Sequence, residues 1–183
     1  GPGYYHDLAD LEEDGWTIEA VGTSNYNTFL GDILRSVAVD PGVVAHLNGG
    51  LADFYDPYLN KILQLEELGG LEDYPHVLVP FMLTQSGTKP MTAISMSRRY
   101  VDLHEAFSAC DAVAVVGYGF NDDDSHINAV FRAVAEQSIP VAIYHYASDG
   151  ELDETTRRSL RQNLRIEQDD SVEWHAVDGQ RRS

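Results

Sequence analysis

The stretch Ala112-Val113-Ala114-Val115-Val116-Gly117-Tyr118-Gly119-Phe120-Asn121-Asp122 decides the fold. Its apolar run is short, β-branched and unalternating, the pattern of a parallel strand covered on both faces. Glycine stops the run, and the next residues carry Ile127, Val130, Phe131 and Val134 at helical spacing. Strand, glycine and helix make half of a βαβ unit. Ligands of open α/β sheets bind at the carboxyl ends of such strands, so chemistry is expected at Gly117–Asp122 and at the matching ends of the other strands.

Outward from that stretch the same alternation recurs. Thr17–Thr23 reads as a strand, followed by a helix with Leu30, Ile33, Leu34 and Val37 on one stripe and ended by Pro41-Gly42. Val43–Leu47 is a second strand, leading through Gly49-Gly50 into the Tyr/Asp-rich segment Phe54–Tyr58, where Pro57 suits a turn. Val77–Leu83 is a third, and Pro80 argues for an edge position, a bulge or an end. The long loop Gln85–Ser97 reads equally as functional or as a flexible connection. Ser97 suits the N-cap of a helix carrying Tyr100, Leu103, Phe107 and Cys110, with Cys110 as a core thiol. Val141–Tyr146 is a strand, Asp149–Glu154 begins a helix through Leu160 and Leu164, and Val172–Val177 is the last strand. This order predicts an α/β class, Rossmann-like three-layer sandwich with a mainly parallel sheet, in which Asn25, Asn48 and Gly117–Asp122 share one edge.

With 183 residues and 43% apolar content the chain is long enough to bury one substantial core, so a single domain over 1–183 is expected. Gly1-Pro2 reads as a tag-cleavage scar and is set aside, and the chain is expected to be part of a longer protein. The longest apolar stretch, Val77–Leu83, is far short of a membrane span, which argues against a membrane partner. One cysteine forms no intrachain disulfide, and a reducing cytoplasm is the expected compartment. Twelve basic and 30 acidic residues give a formal charge of −18, a field that repels polyanions and argues against nucleic acid as a partner. Arg157, Arg158, Arg161 and Arg165 follow Asp153 and Glu154 in the order of helical ion pairs, so they read as a solvated helix face.

Three short motifs lie at strand ends: Gly22-Thr23-Ser24-Asn25-Tyr26-Asn27, His46-Leu47-Asn48-Gly49-Gly50 and Gly117-Tyr118-Gly119-Phe120-Asn121-Asp122. In this order they resemble the sirtuin-like family of NAD-processing domains, with its Thr-Asn-Tyr-Asp, Leu-His-Gly and Gly-Tyr-Ser type motifs. The resemblance runs from about Thr17 to Val177. It implies NAD as cofactor, NAD or ADP-ribose as the bound partner, and cofactor contacts from Thr23, Ser24, Asn25, Asn27, Gly117, Tyr118, Gly119 and Asp122. It implies NAD hydrolase chemistry, or NAD-dependent ADP-ribosyl or deacylase-like chemistry. The bond between nicotinamide and ribose breaks through an oxocarbenium-like state, which calls for a positioned ribose and a base for a hydroxyl or water. Asn25 matches the family asparagine that contacts the ribose; without the resemblance it reads as a cap for the next helix.

The sequence departs from the pattern in three places. The family's catalytic histidine aligns with Asn48, whose amide is no base near neutral pH, and the family's aspartate aligns with Asn27. Gly3–Trp16 holds no Gly-Ala-Gly-rich turn for phosphates. His46, two residues before Asn48 on a strand, would face the same side and is the candidate displaced base; it also reads as a core histidine. Asp122–Asp124 favour the positive end of a helix, and Asp122 with His126 makes only a weak metal pair, so no metal is assigned. The catalytic candidates are Asn25, Asn48 and His46. The sequence supports a sirtuin-like NAD or ADP-ribose binder with degenerate hydrolase chemistry. The alternative is a non-catalytic nucleotide-sensing or interaction module of a larger, defence-type protein, with a homo-oligomer or a partner domain.

Overall fold

The structure, a computed structural model, describes residues 11, 14–83, 93–148, 150–166 and 171–178. Gly1-Pro2, residues 84–92 of the long loop and Asp149 lie outside the described residues. The chain packs as two compact units, one of them Ile18–Leu103 and the other drawn chiefly from His104 onward.

In the first unit β1 (Ala20–Thr23) pairs in parallel with β2 (Val43–His46), joined by α1 (Phe29–Ser36). Both strands are shorter than the sequence predicts, because Thr17–Glu19 and Leu47 fall outside the ladder. The sequence reading missed β3 (Gly49–Asp56) and β4 (Lys61–Gln64), an antiparallel hairpin. After a 3₁₀ turn at Leu65–Leu68 the chain returns as β5 (Val79–Met82), also antiparallel to β3, so the sheet order is β4-β3-β5. The strand predicted at Val77–Leu83 therefore belongs to an antiparallel sheet rather than the parallel one. The reason is connectivity: among the described residues only turns separate β3, β4 and β5, and parallel pairing needs a crossover. Pro80 sits on an edge strand, opposite Phe54 where the register shifts, as its missing N–H requires. Gly49 begins β3 at φ +80°, and a Cβ there would lie 2.4 Å from Phe81 O, so only glycine fits. Leu34, Ala45, Leu47, Ile62, Leu63, Met96 and Leu103 form this unit's core.

Helix α2 (Ile94–Ala109) gives its residues up to Leu103 to this unit and the rest to the second. It starts three residues before Ser97, whose N–H already bonds to Ala93 O, so Ser97 is not its N-cap. Tyr100, Leu103 and Phe107 are buried as their spacing predicts. Cys110 lies just past the helix end, half-buried, with its Sγ 3.1 Å from Ala106 O.

The second unit holds the parallel sheet β6 (Val113–Val116), β7 (Val141–Tyr146) and β8 (Val172–Val177) in that order. Helix α3 (Ser125–Glu136) buries Ile127, Val130 and Val134, while α4 (Glu154–Leu164) buries Leu160 and Leu164. The core of the sheet is Val113, Val115, Val141, Ile143 and Val172. β6 is covered on one face, not two: Val113 and Val115 are buried, whereas Ala114 and Val116 are exposed. Its unalternating composition hides this, because alanine and valine fit either face. The ion pairs expected from Asp153 and Glu154 to Arg157 and Arg158 also rearrange. Asp153 caps α4 by accepting from the Thr156 N–H at 2.6 Å, and Glu154 lies 3.9 Å from Arg161.

Candidate functional site

In the first unit the carboxyl ends of β1 and β2 bring five of the named residues together. The parallel register sets Thr23 beside His46, and Leu47 N–H bonds to Thr23 O at 2.8 Å. Asn25 is exposed, and its N–H bonds to Thr23 Oγ1 at 3.1 Å. His46 Nδ1 lies 3.4 Å from Asn25 O. A carbonyl only accepts, so Nδ1 carries the proton in this contact and Nε2 is the basic nitrogen. Asn48 is 5% exposed and donates from Nδ2 to Ser24 O at 3.4 Å. The strand ends at His46 and Asn48 lies in a turn, so the two do not share a strand face as the two-residue spacing predicts. Asn27 Oδ1 accepts from Phe29 N–H at 3.2 Å in a turn ahead of α1, whose N-cap is Thr28, so neither Asn27 nor Asn25 caps that helix.

The surroundings of this strand end hold residues that sequence reasoning missed. Arg99 of α2 makes a bidentate pair with the buried Asp53 of β3, at 2.6 and 2.9 Å, and donates to His46 O at 3.3 Å. Tyr26 Oη donates to Leu83 O at 2.5 Å, and Tyr100 Oη donates to Leu47 O. The backbone carbonyls of 46 and 47 thus hang from side chains of one helix. Distance in sequence concealed them: Arg99 stands 46 residues from Asp53 and 53 from His46. A second cluster closes the β3–β4 hairpin. Asp56 is fully buried and accepts from Tyr58 N–H, Leu59 N–H, Tyr74 Oη and His76 Nδ1 at 2.7 to 3.0 Å. Burial pushes its carboxyl up, but His76, the Leu59 N–H, Tyr74 and the Tyr58 N–H together outweigh that and bring it to about 2. Burial and the same carboxylate push the Tyr74 hydroxyl up.

In the second unit the turn after β6 is held by Asn128, another residue the sequence did not single out. Gly117 stands at φ +67°, and Phe120, completely buried, at φ +51°. Backbone in that region costs a non-glycine residue free energy and persists only where its surroundings fix it. Asn128 Nδ2 donates to Phe120 O at 3.2 Å and Asn121 O at 3.0 Å, while its Oδ1 accepts from Tyr118 Oη at 3.0 Å. Phe131 packs edge-on against the Phe120 ring at 5.7 Å. Gly119 lies within this turn, and Asp122 opens a 3₁₀ turn, exposed and 3.4 Å from Arg165 Nη2. Asp124 precedes α3 without a side-chain bond into its first turn, so the capping expected of these acids is not made there. At the carboxyl end of β7 opens a cavity of about 400 Å³ lined by His145, Tyr146, Ser148, Glu151, Asp153 and Thr156 among others. Thr23, Ser24, Asn25, Asn27, His46 and Asn48 thus belong to one unit and Gly117, Tyr118, Gly119 and Asp122 to the other, each group at the carboxyl edge of its own parallel sheet.

The sequence matches no family model, and no curated protein matches it. Solved structures do. A Sir2 in complex with an inhibitor, 2′-O-acetyl-ADP-ribose and a deacetylated peptide aligns with 88% of this chain and 71% of its own, at 18% identity and a TM-score of 0.50. Two point mutants of a Sir2 homologue, each with ADP-ribose, align with 90% of this chain and 66% of theirs, at 15% identity and a TM-score of 0.52. The chain thus spans about two thirds of the length of those homologue structures. Parallel sheets, intervening helices and these alignments agree: the chain has a sirtuin-like, Rossmann-like α/β fold.

Proposed function

We propose that this chain binds NAD or ADP-ribose and that its NAD hydrolase chemistry is degenerate. The observation that carries the reading is the meeting of Thr23, Ser24, Asn25, His46 and Asn48 at one strand end, where the most buried member is an amide. The Sir2 homologue structures that hold ADP-ribose lend support by shared fold. The residues present suit such a ligand in part. The cavity at the end of β7 is lined by His145 and by carboxylates that accept from sugar hydroxyls. Asn25, exposed beside His46, offers a donor and an acceptor for a ribose.

The chemistry that NAD supplies is a labile bond between nicotinamide and ribose, and the chain must provide a base to use it. Asn48 provides none. Its amide has no basic lone pair, and its N–H is spent on Ser24 O. Loss of a general base costs roughly 10²- to 10⁴-fold in rate. A second reading has one observation in its favour: His46 presents Nε2 as its basic nitrogen, so the base has moved two residues along the chain. Calorimetry with NAD and ADP-ribose, together with nicotinamide release from NAD, tests both. Binding with slow or no release is the expected result. Rapid release abolished by His46→Ala replaces the degenerate reading with the second, and no binding of either nucleotide overturns both in favour of an interaction module.

A further inference from the structure

Resting on the NAD or ADP-ribose reading, we infer that Arg99 and His46 are positioning residues that fix Asn25 for the ligand without touching it. The guanidinium holds the His46 carbonyl, and the His46 ring holds the Asn25 carbonyl. These two contacts belong to a larger pattern. Three successive carbonyls of one segment, those of Ser24, Asn25 and Tyr26, accept from Asn48 Nδ2, His46 Nδ1 and the Leu51 N–H at 3.4, 3.4 and 2.9 Å. Three successive carbonyls of the next, those of His46, Leu47 and Asn48, accept from Arg99 Nη1 at 3.3 Å, from Tyr100 Oη and from the Leu83 N–H at 2.8 Å. The segment at 24–26 hangs on the segment at 46–51, and that one hangs in turn on α2 and the end of β5.

The inner end of this relay is rigid. Arg99 has a side chain only 17% exposed, and its two-pronged pair with the buried Asp53 sets the plane of the guanidinium. The outer end is Asn25, exposed, with its N–H on Thr23 Oγ1 and its carbonyl on His46, so its backbone is fixed from both sides. A segment that is ordered before its ligand arrives loses less conformational freedom on binding. Removal of a support therefore weakens affinity although no contact to the ligand is lost. The ring does this work through Nδ1–H, which is present in the imidazolium and in the tautomer this contact selects. Asparagine can replace it, because its Nδ2 is bonded to Cγ just as histidine Nδ1 is.

The test is calorimetry of the full chain with ADP-ribose and NAD, on the wild type, Arg99→Lys, His46→Ala, His46→Asn and the double variant of Arg99→Lys with His46→Ala. Lysine keeps a cation for Asp53 but cannot grip the carboxylate in two places and also reach His46 O. Arg99→Lys and His46→Ala are each expected to weaken binding by roughly threefold to tenfold, the worth of one hydrogen bond. The double variant should bind no more weakly than His46→Ala alone, because Arg99 acts through His46, and a general loss of stability would not produce that coupling. His46→Asn should bind as the wild type does. Additive losses, a His46→Asn variant as weak as His46→Ala, or affinities that no substitution changes overturn the inference and leave the nucleotide reading standing. If Arg99→Lys does not fold, the contrast between His46→Asn and His46→Ala decides alone. Failure of the wild type to bind ADP-ribose and NAD overturns that reading and the inference with it.

Discussion

Asn48 and Asp56 show how far a single side chain can determine what a strand end does. Asn48 sits in a turn with its amide turned to Ser24 O, and histidine there can keep a ring N–H for that carbonyl while its other nitrogen becomes the base. Asn48→His is therefore expected to raise nicotinamide release by up to about 10²- to 10⁴-fold if the base alone is missing. Asn27→Asp should add to it, because aspartate restores the acceptor and still accepts from Phe29 N–H. Single-turnover release assays on both variants check this, and unchanged rates in a variant that binds NAD would locate the defect elsewhere. Asp56 bears on stability instead. Its carboxyl ordinarily titrates near 3.8 when unfolded and is held near 2 in the fold. A depressed value means that its contribution is fully present above about pH 4 and is lost as pH falls through 2. Asp56→Asn should lower the melting temperature at neutral pH and flatten its decline between pH 4 and 2. A decline as steep as that of the wild type would assign the acid sensitivity to other carboxylates.

At the scale of elements, Arg99 is the side chain that ties α2 to the strand end. It satisfies the buried Asp53 with two hydrogen bonds and reaches His46 O with a third contact. Arg99→Leu leaves Asp53 buried without its cation, and removal of one partner of such a pair costs about 3–5 kcal/mol. Chemical denaturation should show that loss, and Asp53→Asn in the same background should recover part of it. Neither role was legible in the sequence, which marked neither Asp53 nor Arg99. The elements that were legible are those whose signal is local. β7 and β8 match their apolar runs residue for residue, α3 buries Ile127, Val130 and Val134 of the four positions its spacing marks, and α4 buries Leu160 and Leu164. The misreadings lie where non-local pairing decides. Gly49-Gly50 read only as the link from a strand to the Tyr/Asp-rich segment, yet Gly49 begins an eight-residue strand at a point where Phe81 crowds it and only glycine tolerates the approach. Pro80 correctly announced an edge, but nothing local told that its partner runs antiparallel. At the candidate site, sequence placed Asn25, His46 and Asn48 at one strand end. It missed Asn128 and Arg99, whose partners lie on other elements.

The whole molecule is an anion that is proposed to bind an anion. Thirty acids against 12 basic residues give −18, and the chain's only lysines are Lys61 and Lys89. The acids of the candidate regions belong to that field: Asp122 is answered by an exposed Arg165, while Asp153 is spent on its own helix and Glu151 stands exposed beside it. Long-range repulsion of this kind acts on the approach of a diphosphate and on the compactness of the chain itself. Salt screens both, since the Debye length falls to about 8 Å at physiological ionic strength from about 30 Å at 0.01 M. Raising sodium chloride from about 0.01 M to about 0.15 M should therefore tighten ADP-ribose binding several-fold and raise the melting temperature, the reverse of the salt dependence of a site built on cations. Titration calorimetry and thermal denaturation over that range measure the two effects. If affinity falls as salt rises while stability climbs, the diphosphate lies against arginines that outweigh the global field. The diphosphate then lies against cations such as the arginines of α4 rather than at the acid-lined end of β7.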